Sequence, residues 1–269
     1  MRLPTSLSLS VLALCSSVPA SAQQRVLDIS GRQFILECAG PTSGPIVMLL
    51  PGGGGSVEAW TKVKDGTANF ARVCSYEPAG GAHRNDAGVQ VMDQMAADLD
   101  QVLTQVAGQV PTVLVGHSAG GLLARRFATQ FPQRVVGIVL LDSSHEEQIW
   151  RIAGIAPSLL DFGFGKAWKD PAALRAMGMV PSGQRSAWHT DRPLIVIEHG
   201  VAEPPPPGAH VSPAAAKKLE AAWHAMQQDL AARSPHGQLR VAAGSGTEIH
   251  RQKPDVVITA IRDVLGQVR

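Results

Sequence analysis

Apolar residues fall along this chain in short blocks of two kinds. Residues 33–38 alternate polar and apolar, the pattern of a strand with one buried face. Ile46-Val-Met-Leu-Leu50 is apolar throughout, as a strand covered on both faces would be. Buried strands are likewise predicted over 113–115 and 135–141, and further strands over 72–76, 194–197 and 239–242. Between them, 60–70 and 89–107 carry helical spacing, and Pro41-Thr-Ser-Gly-Pro45 marks a turn. Strands alternating with helices predict an α/β fold with a mostly parallel central sheet flanked by helices. Sites in such sheets lie beyond the carboxyl ends of the strands. Two glycine-rich segments lie there: Pro51-Gly-Gly-Gly-Gly55, and Gly116-His117-Ser118-Ala119-Gly120-Gly121.

The second segment carries the chemistry. It stands between the apolar run ending at Val115 and the helically spaced stretch 122–131. Strand, G-x-S-x-G, helix demands a sharp turn that holds the serine in a strained backbone conformation with its hydroxyl exposed. Side chains at 116 and 120 would crowd that turn. The Ala119 amide then opens a helix, where it can donate to a developing oxyanion.

From 142 to 193 the alternation breaks, and Trp150, Phe162, Phe164, Trp168 and Trp188 accumulate. This stretch predicts a helical cap insertion, at about 143–192, whose aromatics line an apolar pocket or pack among themselves. Ala202-Glu-Pro-Pro-Pro-Pro-Gly208 reads as an extended loop.

The chain's start changes the picture of compartment. Residues 1–22 combine Arg2, a short apolar run over 7–14, and Ala20-Ser21-Ala22. They read as a signal peptide, followed by one domain over 23–269. The apolar run is too short to span a bilayer, and no second run approaches that length. The expected location is exported, periplasmic or secreted. Two cysteines then remain, Cys38 and Cys74, an even count that permits one disulfide or two buried thiols. A net charge of +2, without a cluster of Lys and Arg, excludes a nucleic-acid partner. No H-E-x-x-H pair or P-loop lysine occurs, so neither metal nor cofactor is expected. The oligomeric state is left open.

Taken together, the Leu-Leu-Pro-Gly-Gly-Gly-Gly segment, Trp60, the Arg-Val-Cys-Ser-Tyr strand, Gly-His-Ser-Ala-Gly-Gly, Val-Leu-Leu-Asp-Ser-Ser-His145 and the tail from Gly244 to Val264 resemble the α/β-hydrolase family. The resemblance implies the α/β-hydrolase fold and serine chemistry of the esterase and lipase-like members. Ser118 would attack a carboxylic ester; the expected substrate is a small apolar ester, and the intermediate an acyl-enzyme. Gly53 and Ala119 would supply the oxyanion hole. The resemblance also makes the strands carrying Cys38 and Cys74 neighbours, which predicts their disulfide.

Relatives carry the triad acid after either the sixth or the seventh strand. Asp142 and Glu203 stand at those two places, and the rigid strand end favours Asp142. Relatives carry the catalytic histidine in a pattern like G-H-x-I-x-x-x-x-P. Here that segment reads Gly246-Thr247-Glu248-Ile249-His250-Arg-Gln-Lys-Pro254, with Thr247 at the histidine's place. Threonine has no group that titrates near neutral pH and cannot serve as general base. Three readings stay open. His250, the nearby base, serves after a loop shift; His117 or His145 substitutes; or the chain is a catalytically impaired or non-catalytic binding protein. Pro254 at the start of the last helix and Ile249 tucked inward fix the register, which predicts Thr247 nearer than His250 to the Ser118 hydroxyl.

Overall fold

The computed structural model describes residues 23–78, 91–181 and 188–268. The proposed signal peptide lies outside the described residues. Eight strands form one sheet: β1 (Gln23–Ile29), β2 (Arg32–Ala39), β3 (Ile46–Leu50), β4 (Arg72–Pro78), β5 (Thr112–His117), β6 (Val135–Leu141), β7 (Leu194–His199) and β8 (Gly237–Ala242). Their order is β1-β2-β4-β3-β5-β6-β7-β8. The β1–β2 and β2–β4 pairs are antiparallel, and every other pair is parallel. The central strands begin and end close to the predicted blocks. β1 was not predicted, because its sequence QQRVLDI gives little alternation to read.

Burial on both faces explains the continuous apolar runs. Ile46, Met48 and Leu50 enter one core together with Leu114, Ile138, Leu140 and Val196. Val47 and Leu49 enter the opposite core with Val113, Val115, Val139 and Ile197. The first core lies under α2 (Met92–Ala107) and α3 (Ala119–Gln130). The second lies under α1 (Thr61–Ala68) and α9 (Pro254–Gln267). Helix α9 has proline in its first turn, where the missing N–H leaves no bond unmade.

Among the described residues between β6 and β7 are the short helices α4 (Gln148–Ala153), α5 (Ser158–Phe164) and α6 (Pro171–Ala176). After β7 come the long α7 (Pro213–Ala231) and, past β8, the single-turn α8 (Ile249–Gln252). Among the described residues no helix is long and apolar enough to cross a membrane.

Cys38 and Cys74 face each other across the β2–β4 pair and are joined by a disulfide, with Cα atoms 4.1 Å apart. Closing this loop removes conformational freedom from the unfolded chain and is worth roughly 2–4 kcal/mol.

Candidate active site

Strand β5 ends at His117 and helix α3 begins at Ala119, so Ser118 alone makes the turn. Its backbone sits at φ 50°, ψ −119°, a region L-residues rarely occupy. The neighbouring glycines show why the turn holds. A Cβ on Gly116 would meet the Gly120 carbonyl oxygen at 2.4 Å. One on Gly120 would meet the Leu50 and Pro51 carbonyl oxygens at 2.3 and 2.5 Å. The helix start is therefore pressed against the loop that follows β3. Gly52 in that loop also packs on the turn, since a Cβ there would stand 3.2 Å from the Ser118 Cβ. The Ala119 amide opens α3 without an intrahelical acceptor. Gly53, next to Gly52 in sequence, is exposed, and a Cβ there would meet nothing within 4 Å. The Ser118 hydroxyl is half-buried and makes no hydrogen bond among the described residues.

Asp142 directly follows β6, the strand next to β5, and it too has a positive φ, 40°. Its amide donates to the Ile197 carbonyl at 2.7 Å, which fixes the residue against β7. Three donors converge on one carboxylate oxygen, Oδ1: His199 Nδ1 at 2.8 Å, the Trp223 indole N–H at 2.7 Å and the His199 amide at 3.4 Å. Burial alone would raise the Asp142 pKa. The bond from His199, its positive charge and the Trp223 bond outweigh it and hold the carboxyl below its ordinary value. His199 responds in the opposite sense. Its bond to Asp142 raises the imidazole pKa to about 9, and its Nε2 meets Glu220 Oε1 at 2.8 Å. Asp142 is thus paired with an imidazolium whose other nitrogen is also occupied.

The expected bases lie elsewhere. His250 does not meet Ser118: its ring stacks on Trp60 at 4.4 Å, lies 4.6 Å from the His117 ring, and is 2 % exposed. Its Nδ1 has no partner, and its Nε2 faces Glu248 at 3.6 Å. Burial, with His117 nearby, lowers its pKa to about 3, so the ring is neutral. The reading in which a loop shift brings His250 to Ser118 finds no support in these contacts; Ile249 is fully buried and Pro254 opens α9. His117 follows the alternation of β5 onto the Val113–Val115 face, toward Trp60 and His250. His145 is taken up by Asp229, which its Nε2 meets at 3.1 Å, and by the Glu147 amide, which donates to its Nδ1 at 3.0 Å.

The Thr247 amide donates to Glu203 Oε1 at 3.2 Å. Glu203, the alternative acid, therefore meets the loop at 247 and finds no imidazole there. Gly200 and Val201 donate to the Ser245 carbonyl, and Gln252 accepts from Gly246, so the loop is pinned at both ends.

His199, Glu220 and Trp223 were not singled out from sequence. The polar pair Glu198-His199 closing an apolar strand at its carboxyl end was the available signal. The buried Arg125 was missed as well. It joins α3 to the segment after Asp142, donating to Ser143 Oγ at 2.9 Å, the Ser144 carbonyl at 2.8 Å and Glu146 at 3.1 Å. Arg233 pairs with Glu146 from α7's end. This network sets the distance between the Ser118 turn and the Asp142 turn.

The aromatics of the insertion do not gather at Ser118. Trp188 belongs to the core under α3, Trp150, Phe164 and Trp168 pack against that core, and Phe162 is exposed. A cavity of about 580 Å³ is lined by Trp188, Leu122 and Met179, and also by Arg126 and Arg175. Its mixed lining gives no support to a purely apolar substrate. Among the described residues no group of three or more His, Cys, Asp or Glu is arranged to hold a metal ion.

Residues 45–185, just over half of the chain, match the family model described as alpha/beta hydrolase fold. The chain belongs to the α/β-hydrolase family. Over 122 residues this α/β hydrolase is 36% identical to the magnesium-chelatase 30 kDa subunit of Rhodobacter capsulatus, covering 44% of this chain and 42% of that protein. It is 35% identical over 112 residues to a putative carbamate hydrolase RutD of Variovorax paradoxus, covering 40% of this chain and 41% of that one. A pimeloyl-[acyl-carrier protein] methyl ester esterase of Aliivibrio fischeri is 30% identical over 122 residues, 44% of each chain. The chain thus spans less than half the length of these curated relatives. Among solved structures, an esterase from Thermogutta terrifontis superposes with a TM-score of 0.61 at 20% identity, covering 92% of this chain and 99% of that one. A predicted CIB-like hydrolase from Thermoplasma acidophilum gives 0.60 at 15%, covering 91% and 98%. These structural likenesses bear on the fold.

Proposed function

We propose that this α/β hydrolase is a serine hydrolase of the carboxylic-ester class. Ser118 attacks the ester carbonyl, the Ala119 and Gly53 amides hold the oxyanion, and an acyl-enzyme on Ser118 is hydrolysed by water. The observation that carries this reading is the Ser118 turn. A strained serine costs about 1–3 kcal/mol, and it persists here because backbone on two sides leaves it no other conformation. The similarity to an esterase and to a putative carbamate hydrolase supports the same class. Asp142 takes the acid's role, since it follows β6, the strand beside the one that ends at the Ser118 turn, on a rigid strand end. His250 is not retained as base. Turnover of unactivated esters is slow, because Thr247 stands where a base belongs and oxyanion stabilisation alone carries the reaction.

The proposal extends to organisation and compartment. Residues 143–192 form the cap of a single domain, residues 1–22 are a signal peptide, and the protein is exported. The Cys38–Cys74 disulfide supports an oxidising compartment. A fluorophosphonate probe tests the catalytic reading. It is expected to attach to the Ser118 peptide and to nothing in Ser118→Ala, and p-nitrophenyl acetate hydrolysis should disappear in that variant. Full hydrolysis by Ser118→Ala would end the serine mechanism.

A second reading is a binding protein that uses the same site without turnover. It draws on the engagement of Asp142 by His199, which leaves the acid already neutralised. Absence of fluorophosphonate labelling in a folded protein would favour it.

A further inference from the structure

The cavity between α3 and the insertion that joins β6 to β7 is separate from the Ser118 turn. Leu122 lines it, one helical turn beyond Ser118, whereas Ser118, Ala119, Gly53 and Asp142 do not. Its volume of about 580 Å³ falls within the roughly 300–1,000 Å³ that small-molecule sites occupy. One wall is apolar. Met92 opens α2, Leu122 belongs to α3, and Met179 and Trp188 come from the insertion; all four side chains are buried.

The rest of the lining is cationic. Three arginines reach the cavity, Arg125 and Arg126 from α3 and Arg175 from α6. Arg125 is 4 % exposed. Its terminal amines donate to the Gly121 carbonyl at 3.2 Å, Ser143 Oγ at 2.9 Å, the Ser144 carbonyl at 2.8 Å and Glu146 at 3.1 Å. Its Nε makes no hydrogen bond among the described residues. Burial lowers its pKa to about 10, which leaves the guanidinium charged at neutral pH. The two carboxylates of the lining are already engaged. Glu146 is divided between Arg125 and Arg233, and Asp93 accepts from Arg126 and, at 2.8 Å, from the Gln130 amide. Arg175 is exposed, and its guanidinium makes no ion pair or hydrogen bond among the described residues. The cavity therefore holds one cationic group in excess of its engaged carboxylates, facing an apolar wall.

We propose that this cavity is a binding site for a monocarboxylate with an apolar body, its carboxylate paired with Arg175 and its body laid on Met92, Leu122, Met179 and Trp188. A guanidinium presents a planar fork of N–H donors that matches the two oxygens of a carboxylate. A single unpartnered guanidinium balances one negative charge, which suits a carboxylate better than a phosphate dianion. Neither half of the ligand suffices alone. An ion pair at an exposed arginine is screened by water and worth little by itself. The apolar wall adds the burial that holds the ligand, at roughly 25 cal/mol per Å² removed from water. An uncharged chain of the same length gains the burial and leaves Arg175 unpaired. A short carboxylate gains the pair and leaves the apolar wall uncovered. The site does not depend on chemistry at Ser118, so it stands whether or not the ester reading does.

Calorimetric titration of the whole chain with octanoate, octan-1-ol and acetate tests the site. Octanoate is expected to saturate at one molecule per protein, with octan-1-ol and acetate each binding at least about 10-fold more weakly. Arg175→Gln removes the charge at an exposed position, where folding is undisturbed. It should weaken octanoate by roughly 10-fold, the low end for a hydrogen bond to a charged group, and leave octan-1-ol unchanged. Ala176→Phe places a ring at a second lining position and should weaken octanoate and octan-1-ol together. That variant locates the ligand, because a carboxylate held at the Ser118 turn would not respond to it. Three results would each overturn the inference: no saturable binding of octanoate at millimolar concentration, octan-1-ol binding as tightly as octanoate, or octanoate binding to Arg175→Gln or Ala176→Phe with wild-type affinity.

Discussion

The two sides of the Ser118 turn are built from different materials. On the Ser118 side, backbone atoms fix the geometry: Gly116, Gly120 and Gly52 let the segments approach within contact distance, and Ser118 sits at φ 50°, ψ −119°. On the Asp142 side, side chains decide. Asp142 Oδ1 is bound by His199 and Trp223, and the Thr247 amide is bound by Glu203. A backbone-built site survives single substitutions at its rim. A side-chain-built site is dismantled by one exchange, and the neighbouring groups re-pair around what remains. The α/β-hydrolase frame here carries one of each.

The largest expected effect breaks the Asp142 side. Asp142→Ala leaves His199 charged beside Glu220 without its inner partner, and Asp142 is 3 % exposed. Removing one member of such a buried pair should cost about 3–5 kcal/mol, read as a lowered midpoint in urea. Little change in the midpoint would mean that His199 re-pairs without loss.

The Ser118 side should break next. Gly120→Ala drives a methyl into two carbonyl oxygens, an overpacking that should cost roughly 1–3 kcal/mol and lower the rate of Ser118 labelling. If labelling proceeds at the wild-type rate, the close approach of α3 to the loop after β3 does not control the turn.

A smaller effect appears in the pH dependence. The His199 pKa rises from its ordinary 6.5 to about 9 on folding. Its contribution to stability is therefore complete below pH 6.5 and is lost as pH climbs through about 9. The Tm of the wild type should fall over that window, and His199→Asn should flatten the fall. Parallel curves for the two proteins would show that the Asp142–His199 pair does not titrate there.

The smallest effect concerns the histidine that lost its assigned role. His250→Phe keeps a ring on Trp60 and removes an unpartnered buried nitrogen, so stability should change by less than about 1.5 kcal/mol. Ester turnover should stay at the wild-type value. A large loss of turnover would return His250 to the site.

The contrast between the two sides also explains what could be read in advance. β3 and β6 were legible to the residue, because strands buried on both faces leave no polar position to blur their ends. The Ser118 turn was legible because glycine is the residue that its sterics admit. The cysteine pairing followed from strand neighbours, and the structure joins the two residues. β1 escaped, being a weakly patterned edge strand paired on one side. The Asp142–His199–Glu220 chain escaped for another reason. Its members come from β6, β7 and α7, and nothing in local spacing links residues 142, 199 and 220. His250 was offered as a base from its proximity in sequence to 247. The buried stack with Trp60 and His117 depends on α8 packing against the second core, which a motif does not encode.

The central claim is that this hydrolase retains its nucleophile side and lacks a base at one position. The direct measurement is p-nitrophenyl acetate turnover by wild type, Thr247→His and Thr247→His/Ser118→Ala under identical conditions. Thr247→His is expected to exceed wild type by roughly 10²–10⁴-fold, the range of a restored general base, and the double variant to show no gain. Equal turnover by wild type and a correctly folded Thr247→His would contradict the claim.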